Sequence, residues 1–387
     1  MRTAVSRQPG ADREVSPLEL LFDLVYVFAI GQLSHHLVAH VDLRTGAETV
    51  ILALAVFYAW YMVAWGANWL DPDPLAVRGA LVGLMFASLL MSVAIGDAFA
   101  DRAWLFVTGY LLLQVGRCVF LIVALRGRPQ SEHFVNDLIW ELLTGVLWVA
   151  GAIADGDARL LLWGLAVAVA YGGAWTLHRL PGRGRRVDVE HTEIAAGHLI
   201  ERFRLFFIIV LGETVLTTGN AFVGEPFALE RLLALAIGFA GTVALWWCYF
   251  QRAEALGARA AETAEDAGAV ALWGTWTLTL IVLGLIAIAV GDELAIAHPG
   301  DDATLGFRIL AFGGPALFLF AQLLFHRAAL GYAPRSRAIG IVTLATLAVA
   351  TAPFTLIVGI AASSAVLIAV AITDTVAAGA PAPSRTA

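Results

Sequence analysis

Two stretches of this chain set acids and bases at helical spacing inside apolar sequence. In "HTEIAAGHLIERFRLFFIIVLGETVLTTGN", residues 191–220, His198 and Glu201 lie three residues apart on one helical face, with His191 seven residues earlier on that face. Two imidazoles and a carboxylate are metal-ligand types, and an imidazole beside a carboxylate is also an acid–base pair. One helix supplies too few ligands to close a coordination sphere, so the same spacing describes a water-facing helix end, and no metal is assigned. Arg202 and Arg204 at that edge read as side chains snorkelling to lipid headgroups. Glu213 differs: it stands twelve residues beyond Glu201 with apolar sequence on both sides, about 18 Å along a helix axis.

The second stretch, "SPLELLFDLVYVF" at 16–28, carries Glu19 and Asp23 four residues apart. Ser16 as N-cap, Pro17 in the first helical position and Glu19 in the third form a capping box with a proline start, which accounts for Glu19. Asp23 lies one turn deeper on the same face and has no capping role. Charge in a bilayer has to face a partner, water or the bundle interior. Arg117, in "YLLLQVGRCVF", is an intramembrane cation, and "NDLIWE" supplies Asp137 and Glu141 one turn apart. These three read either as a structural ion-pair network or as part of a transport path. The Gly-Asp pairs at 96–97 and 291–292 read as helix stops with solvated acids, Asp97 and Asp292. Trp60, Trp65, Trp69, Trp246 and Trp247 suit interface belts, and His35, His36 and His40 a water-facing helix end. Cys118 and Cys248 sit in apolar runs as packing residues.

The elements that position these groups are membrane spans. Of the 387 residues 60% are hydrophobic and 14% charged, and the mean hydropathy is +0.80. Apolar runs recur at 18–38, 48–68, 75–95, 103–125, 136–153, 159–178, 197–220, 228–250, 268–290, 304–325, 338–352 and 355–376. Each is on the scale of a helix crossing a hydrocarbon core of roughly 30 Å. The expected fold is all-α: a polytopic helix bundle of about twelve transmembrane helices, with Pro353 either kinking one long helix or separating two. The first run follows a mostly polar segment, is too long for a signal peptide and reads as a retained span. Arginine is about threefold richer in the loops on the side of the N-terminus, which predicts that both termini are cytoplasmic.

All 24 basic residues are arginine. Without lysine there is no Walker A phosphate site and no Schiff base for pyridoxal or retinal, so no cofactor is expected. The net charge of −7 gives no basic patch for nucleic acid. The partners expected are the lipid bilayer and a small solute or ion.

Glu19 before a long aromatic-rich run recurs as Glu201 before "RFRLFFIIVL", and "AIGDAFA" (94–100) recurs as "AVGDELA" (289–295). The order suggests two pseudo-symmetric six-helix halves in parallel orientation. The expected division is a cytoplasmic segment 1–17, a first half 18–178, a basic linker 179–196, a second half 197–376 and a tail 377–387.

"PLELLFDLVYVFAIGQLS" together with "HLIERFRLFFIIVLGETVL" resembles the bacterial low-temperature-requirement A family. The matching positions are Glu19, Phe22, Asp23, His198, Glu201, Arg202, Phe203, Gly212 and Glu213; Arg204 stands where the family pattern has a small residue. The resemblance implies a multi-pass membrane protein and brings no reaction or substrate with it. From the residues themselves, the first reading is a secondary transporter or channel with Asp23, Arg117, Glu201 and Glu213 along a polar path. The alternatives are an intramembrane enzyme on a lipid substrate, with His198 and Glu201 as acid and base, and a structural or regulatory membrane factor.

Overall fold

The computed structural model describes residues 15–180, 196–223, 226–250 and 267–379. His191, most of the 179–196 linker and the end of the tail lie outside the described residues. The first six helices are α1 (Pro17–Ala39), α2 (Leu43–Ala67), α3 (Leu75–Ser92), α4 (Ala103–Ala124), α5 (Pro129–Ile153) and α6 (Gly156–Trp175). They are followed by α7 (Ala196–Val223), α8 (Leu229–Phe250), α9 (Ala267–Ala297), α10 (Leu305–Leu330), α11 (Arg335–Ala350) and α12 (Leu356–Gly379). Among the described residues no strand forms, and eleven of these helices are long and apolar enough to cross a membrane. The twelfth, α11, has 16 residues, about 24 Å of helical rise, and opens on Arg335 and Arg337. Pro353 separates α11 from α12 rather than kinking a single helix, because Thr351–Thr355 is a turn bridged to Asp302.

Several helices outrun their apolar cores. The second begins at Leu43, not 48, because Asp42 caps it by accepting from the Thr45 N–H at 2.8 Å; that bond holds the exposed Asp42 carboxyl below its ordinary range. The fifth starts on Pro129 and runs through a polar first turn before its apolar run. The expected stop at Gly291-Asp292 does not occur: α9 continues to Ala297, and Asp292 is buried inside it. Asp97 is the solvated acid expected, in a single 3₁₀ turn after α3, paired with Arg102 Nε at 3.2 Å.

The chain divides into two compact units, residues 1–209 and 210–387. In the first, α1 packs on α2 and α3, α4 lies between α3 and α5, and α2 packs on α4 and α6. Close approach of α3 and α4 depends on Gly109, where a Cβ would fall 2.5 Å from the Met91 backbone nitrogen. In the second unit, α8 packs on α9 and α12, and α10 packs on α9, α11 and α12. There α9 and α10 cross at Gly284 and Gly314, and a Cβ on Gly314 would meet the Gly284 carbonyl oxygen at 2.8 Å.

Candidate functional site: two buried charge clusters

The first unit holds two clusters of charged side chains, with α2 contributing to each. The first cluster begins with Glu19. Its backbone N–H donates to Ser16 Oγ at 3.3 Å, and its carboxylate accepts from the Ser16 N–H and Oγ–H, each at 2.9 Å. The capping box therefore exists as the sequence indicates, and it also aims the carboxylate at α7. There His198 Nε2 stands 3.3 Å from Glu19 Oε1, and Arg202 Nη1 is 3.9 Å from the same oxygen. One turn deeper, Asp23 pairs with Arg202 Nη2 and accepts from Trp60 Nε1–H of α2 at 2.7 Å. Asp23 and Arg202 each lie six residues inside their helices, about 9 Å by helical rise. The Arg202 guanidinium also stacks over the rings of Trp60 and Phe22, 5.7 Å and 6.0 Å from their centroids. Trp60 in turn stacks on Phe206 at 3.9 Å, which closes the cluster on its apolar side.

Three expectations are corrected here. Arg202 does not snorkel: it is 1% exposed, because Asp23 gives it a partner in the interior. His198 does not face water; it is fully buried against Glu19. Trp60 belongs to no interface belt, since its N–H is spent on Asp23. Glu201 turns the other way and pairs with Arg204 at 2.7 Å, both about one-third exposed, so the His198–Glu201 acid–base pair is not assembled. Arg204, the departure from the family pattern, is thus the residue that engages Glu201.

The second cluster joins α2, α4, α5 and the turn after α6. Arg117 Nη1 donates to Asp137 Oδ2 at 2.7 Å, and its Nη2 lies 3.6 Å from Glu141 Oε1. That Glu141 oxygen also accepts from Tyr58 O–H at 3.1 Å and Gln114 Nε2–H at 3.2 Å. His178 Nε2 reaches Tyr58 Oη at 3.2 Å and Asp137 Oδ1 at 3.6 Å. It gets there through a strained turn: Leu177 and His178 both have positive φ, 52° and 53°, and His178 N–H donates to the Gly173 carbonyl at 2.7 Å. Burial holds the His178 imidazole down at about 4, well below its ordinary value, so it is neutral at neutral pH. Arg117 thus finds its partners in Asp137 and Glu141.

In the second unit, Glu213 is buried and accepts from Thr217 O–H at 3.3 Å, with no ion pair among the described residues. Arg337 pairs there with Asp374 and donates to Gln322 Oε1 at 3.1 Å. Sequence reading missed Tyr58, Gln114, His178, Arg337 and Asp374. "FYAWYMVAW" did carry a signal: a Tyr or Trp deep in an apolar run brings a polar group that needs a partner. His178 gave none, because its place depends on backbone strain. His36 is also no free water-facing group, since it lies 3.3 Å from Glu48 Oε2, whereas His35 and His40 are exposed.

Fold and site together define a polytopic helical membrane protein with charged groups in its interior. The chain belongs to the bacterial low temperature requirement A protein family, whose family model matches residues 14–372. It is similar, at 34% identity over 345 residues, to an uncharacterized protein of Rhizobium meliloti (strain 1021), a match covering 88% of this chain and 82% of that one. No solved structure matches it.

Proposed function

We propose that the protein is a proton-coupled secondary transporter of the bacterial cytoplasmic membrane, with both termini cytoplasmic. The observation that carries this reading is the shared inventory of the two clusters. Each has two carboxylates four residues apart on one helix, one arginine and one histidine from other elements, and a hydrogen-bonding aromatic from α2. One arginine neutralises one carboxylate. The second carboxylate leaves a net negative charge away from water, which one proton removes at little structural cost.

The geometry suggests where that proton resides. In each cluster the aspartate takes the arginine closely, while the glutamate stands back, at 3.9 Å for Glu19 and 3.6 Å for Glu141. In the first cluster His198 Nε2 faces Glu19 Oε1 directly at 3.3 Å, so an imidazole stands beside the carboxylate that would carry the proton. In the second, His178 is neutral and turned to Asp137, which leaves Glu141 to hold it. Asp23 Oδ2, Glu141 Oε2 and His198 Nδ1 are buried without a hydrogen-bond partner among the described residues, and open valences of this kind suit water or a polar solute. Packing alone would be served better by one carboxylate per arginine. An enzyme built on His198 and Glu201 is disfavoured because those groups point apart.

The test uses purified protein in proteoliposomes with a pH-sensitive dye inside, offered a panel of polar solutes. Solute-dependent proton movement that protein-free vesicles lack is the expected result. No proton movement with any solute, together with lipid turnover by the same preparation, would turn the reading to an enzyme. Cysteines introduced at Arg126 and at Asp301 should label from opposite faces of intact cells.

A further inference from the structure

Asp292 stands apart from every other buried carboxylate among the described residues. Glu19, Asp23, Glu48, Asp137, Glu141, Glu213 and Asp374 each accept at least one hydrogen bond. Asp292 is 6% exposed, and among the described residues nothing donates to it and no arginine or histidine pairs with it. Its position is deep. The carboxyl lies against Gly238 of α8, where a Cβ would come within 3.3 Å of both Cγ and Oδ2, and Gly238 is the tenth of the 22 residues of α8. The carboxyl group therefore sits beside the middle of a spanning helix, in a space that Gly238 keeps open.

The hydroxyls nearest Gly238 on α8 and α7 donate elsewhere than to Asp292. Thr242 lies one turn along the same face of α8, and its hydroxyl donates to the Gly238 carbonyl at 3.2 Å. Thr214 of α7, 3.5 Å from the Thr242 oxygen, donates to the Leu211 carbonyl at 2.7 Å. Both hydroxyls thus have helix carbonyls as acceptors within hydrogen-bond distance. On the helices packed against α9, Arg308 of α10 donates through Nη1 to the Ala348 carbonyl at 3.0 Å, and Asp374 of α12 is paired with Arg337. A buried carboxylate with no donor and no cation is mismatched to its site; a carboxylic acid, which is uncharged, is matched.

We propose that Asp292 is a proton-binding site of the second unit, carrying an exchangeable proton separate from those of the two clusters in the first. This rests on the proton-coupled reading for its role, but the site itself can be tested without any transport. Infrared spectra of the reconstituted protein, titrated in H₂O and D₂O, should show a protonated-carboxyl band that shifts on deuteration and loses the intensity of one carboxyl in Asp292→Asn. Asp292→Glu should move that component rather than abolish it, which covers the case in which the Asn variant does not fold. An unchanged band in both variants overturns the proposal. So does loss of the band when Na⁺ replaces choline at constant pH, since the site would then take a metal cation. An Asp292 component in a protein that moves no protons would leave this site standing and bring down the transporter reading instead.

Discussion

The two clusters flanking α2 contain the same kinds of groups but bring them together over very different stretches of chain. Asp137 is 20 residues from Arg117 and one loop away, whereas Asp23 and Arg202 are 179 residues apart. The α4–α5 cluster is closed by neutral donors, Tyr58 and Gln114, with a histidine that burial keeps uncharged. The α1–α7 cluster is closed by a helix cap, an indole N–H and a histidine aimed at the spare carboxylate. The difference teaches that one charge inventory can be set in two ways: His198 faces the glutamate of its cluster, whereas His178 is turned to the aspartate. It also shows Glu19 in two roles, since the cap that starts α1 orients the carboxylate that α7 uses.

The harshest way to break the comparison is to remove an arginine. Arg202→Met or Arg117→Met leaves buried carboxylates uncompensated and should cost about 3–5 kcal/mol, read as loss of folded protein in detergent thermal unfolding. Adding Asp23→Leu to the first variant, or Asp137→Leu to the second, should recover much of the loss. If both arginines prove dispensable, neither cluster is an ion-pair network.

The imidazoles should separate in their pH dependence. His178 is held at about 4 in the folded protein, against roughly 6.5 in an unfolded chain. Below pH 6.5 the unfolded chain takes up the proton first, so the contribution of the neutral buried ring is complete above that value and is lost as pH falls toward 4. The loss should be on the order of 3 kcal/mol, and His178→Asn should flatten it. A stability profile over that window that is identical in the variant would contradict the buried neutral ring.

Smaller effects probe the contributions of α2. Trp60→Phe and Tyr58→Phe each delete one donor to a carboxylate, at about 1.5–3 kcal/mol, and measured stabilities should fall in that range for both. Glu201→Gln should change stability by no more than about 1 kcal/mol, because its pair with Arg204 is solvent-screened. A large effect there would restore Glu201 to the polar path.

Much of the fold was legible because a membrane span announces itself by length and composition, and the Ser16–Pro17–Glu19 start is a local pattern that the structure reproduces at Pro17. Local patterns failed where tertiary context overrode them. Gly291-Asp292 looks like a helix stop, yet α9 runs past it because the buried backbone keeps its helical bonds. Arg202 looks like a snorkelling residue until Asp23, 179 positions away, is placed beside it. Asp23 could be seen to need a tertiary partner, but which partner is information carried by packing and not by spacing.

The account turns on the spare glutamates, and the most direct measurement is the coupling of solute to proton movement in proteoliposomes carrying wild type, Glu19→Gln or Glu141→Gln. Each glutamine keeps the shape and removes the titration. The expected result is solute-driven proton flux in the wild type and at least an order of magnitude less in either variant, with the variants folded and downhill solute exchange retained. Variants that couple protons as well as the wild type would show that the clusters only hold the helices together.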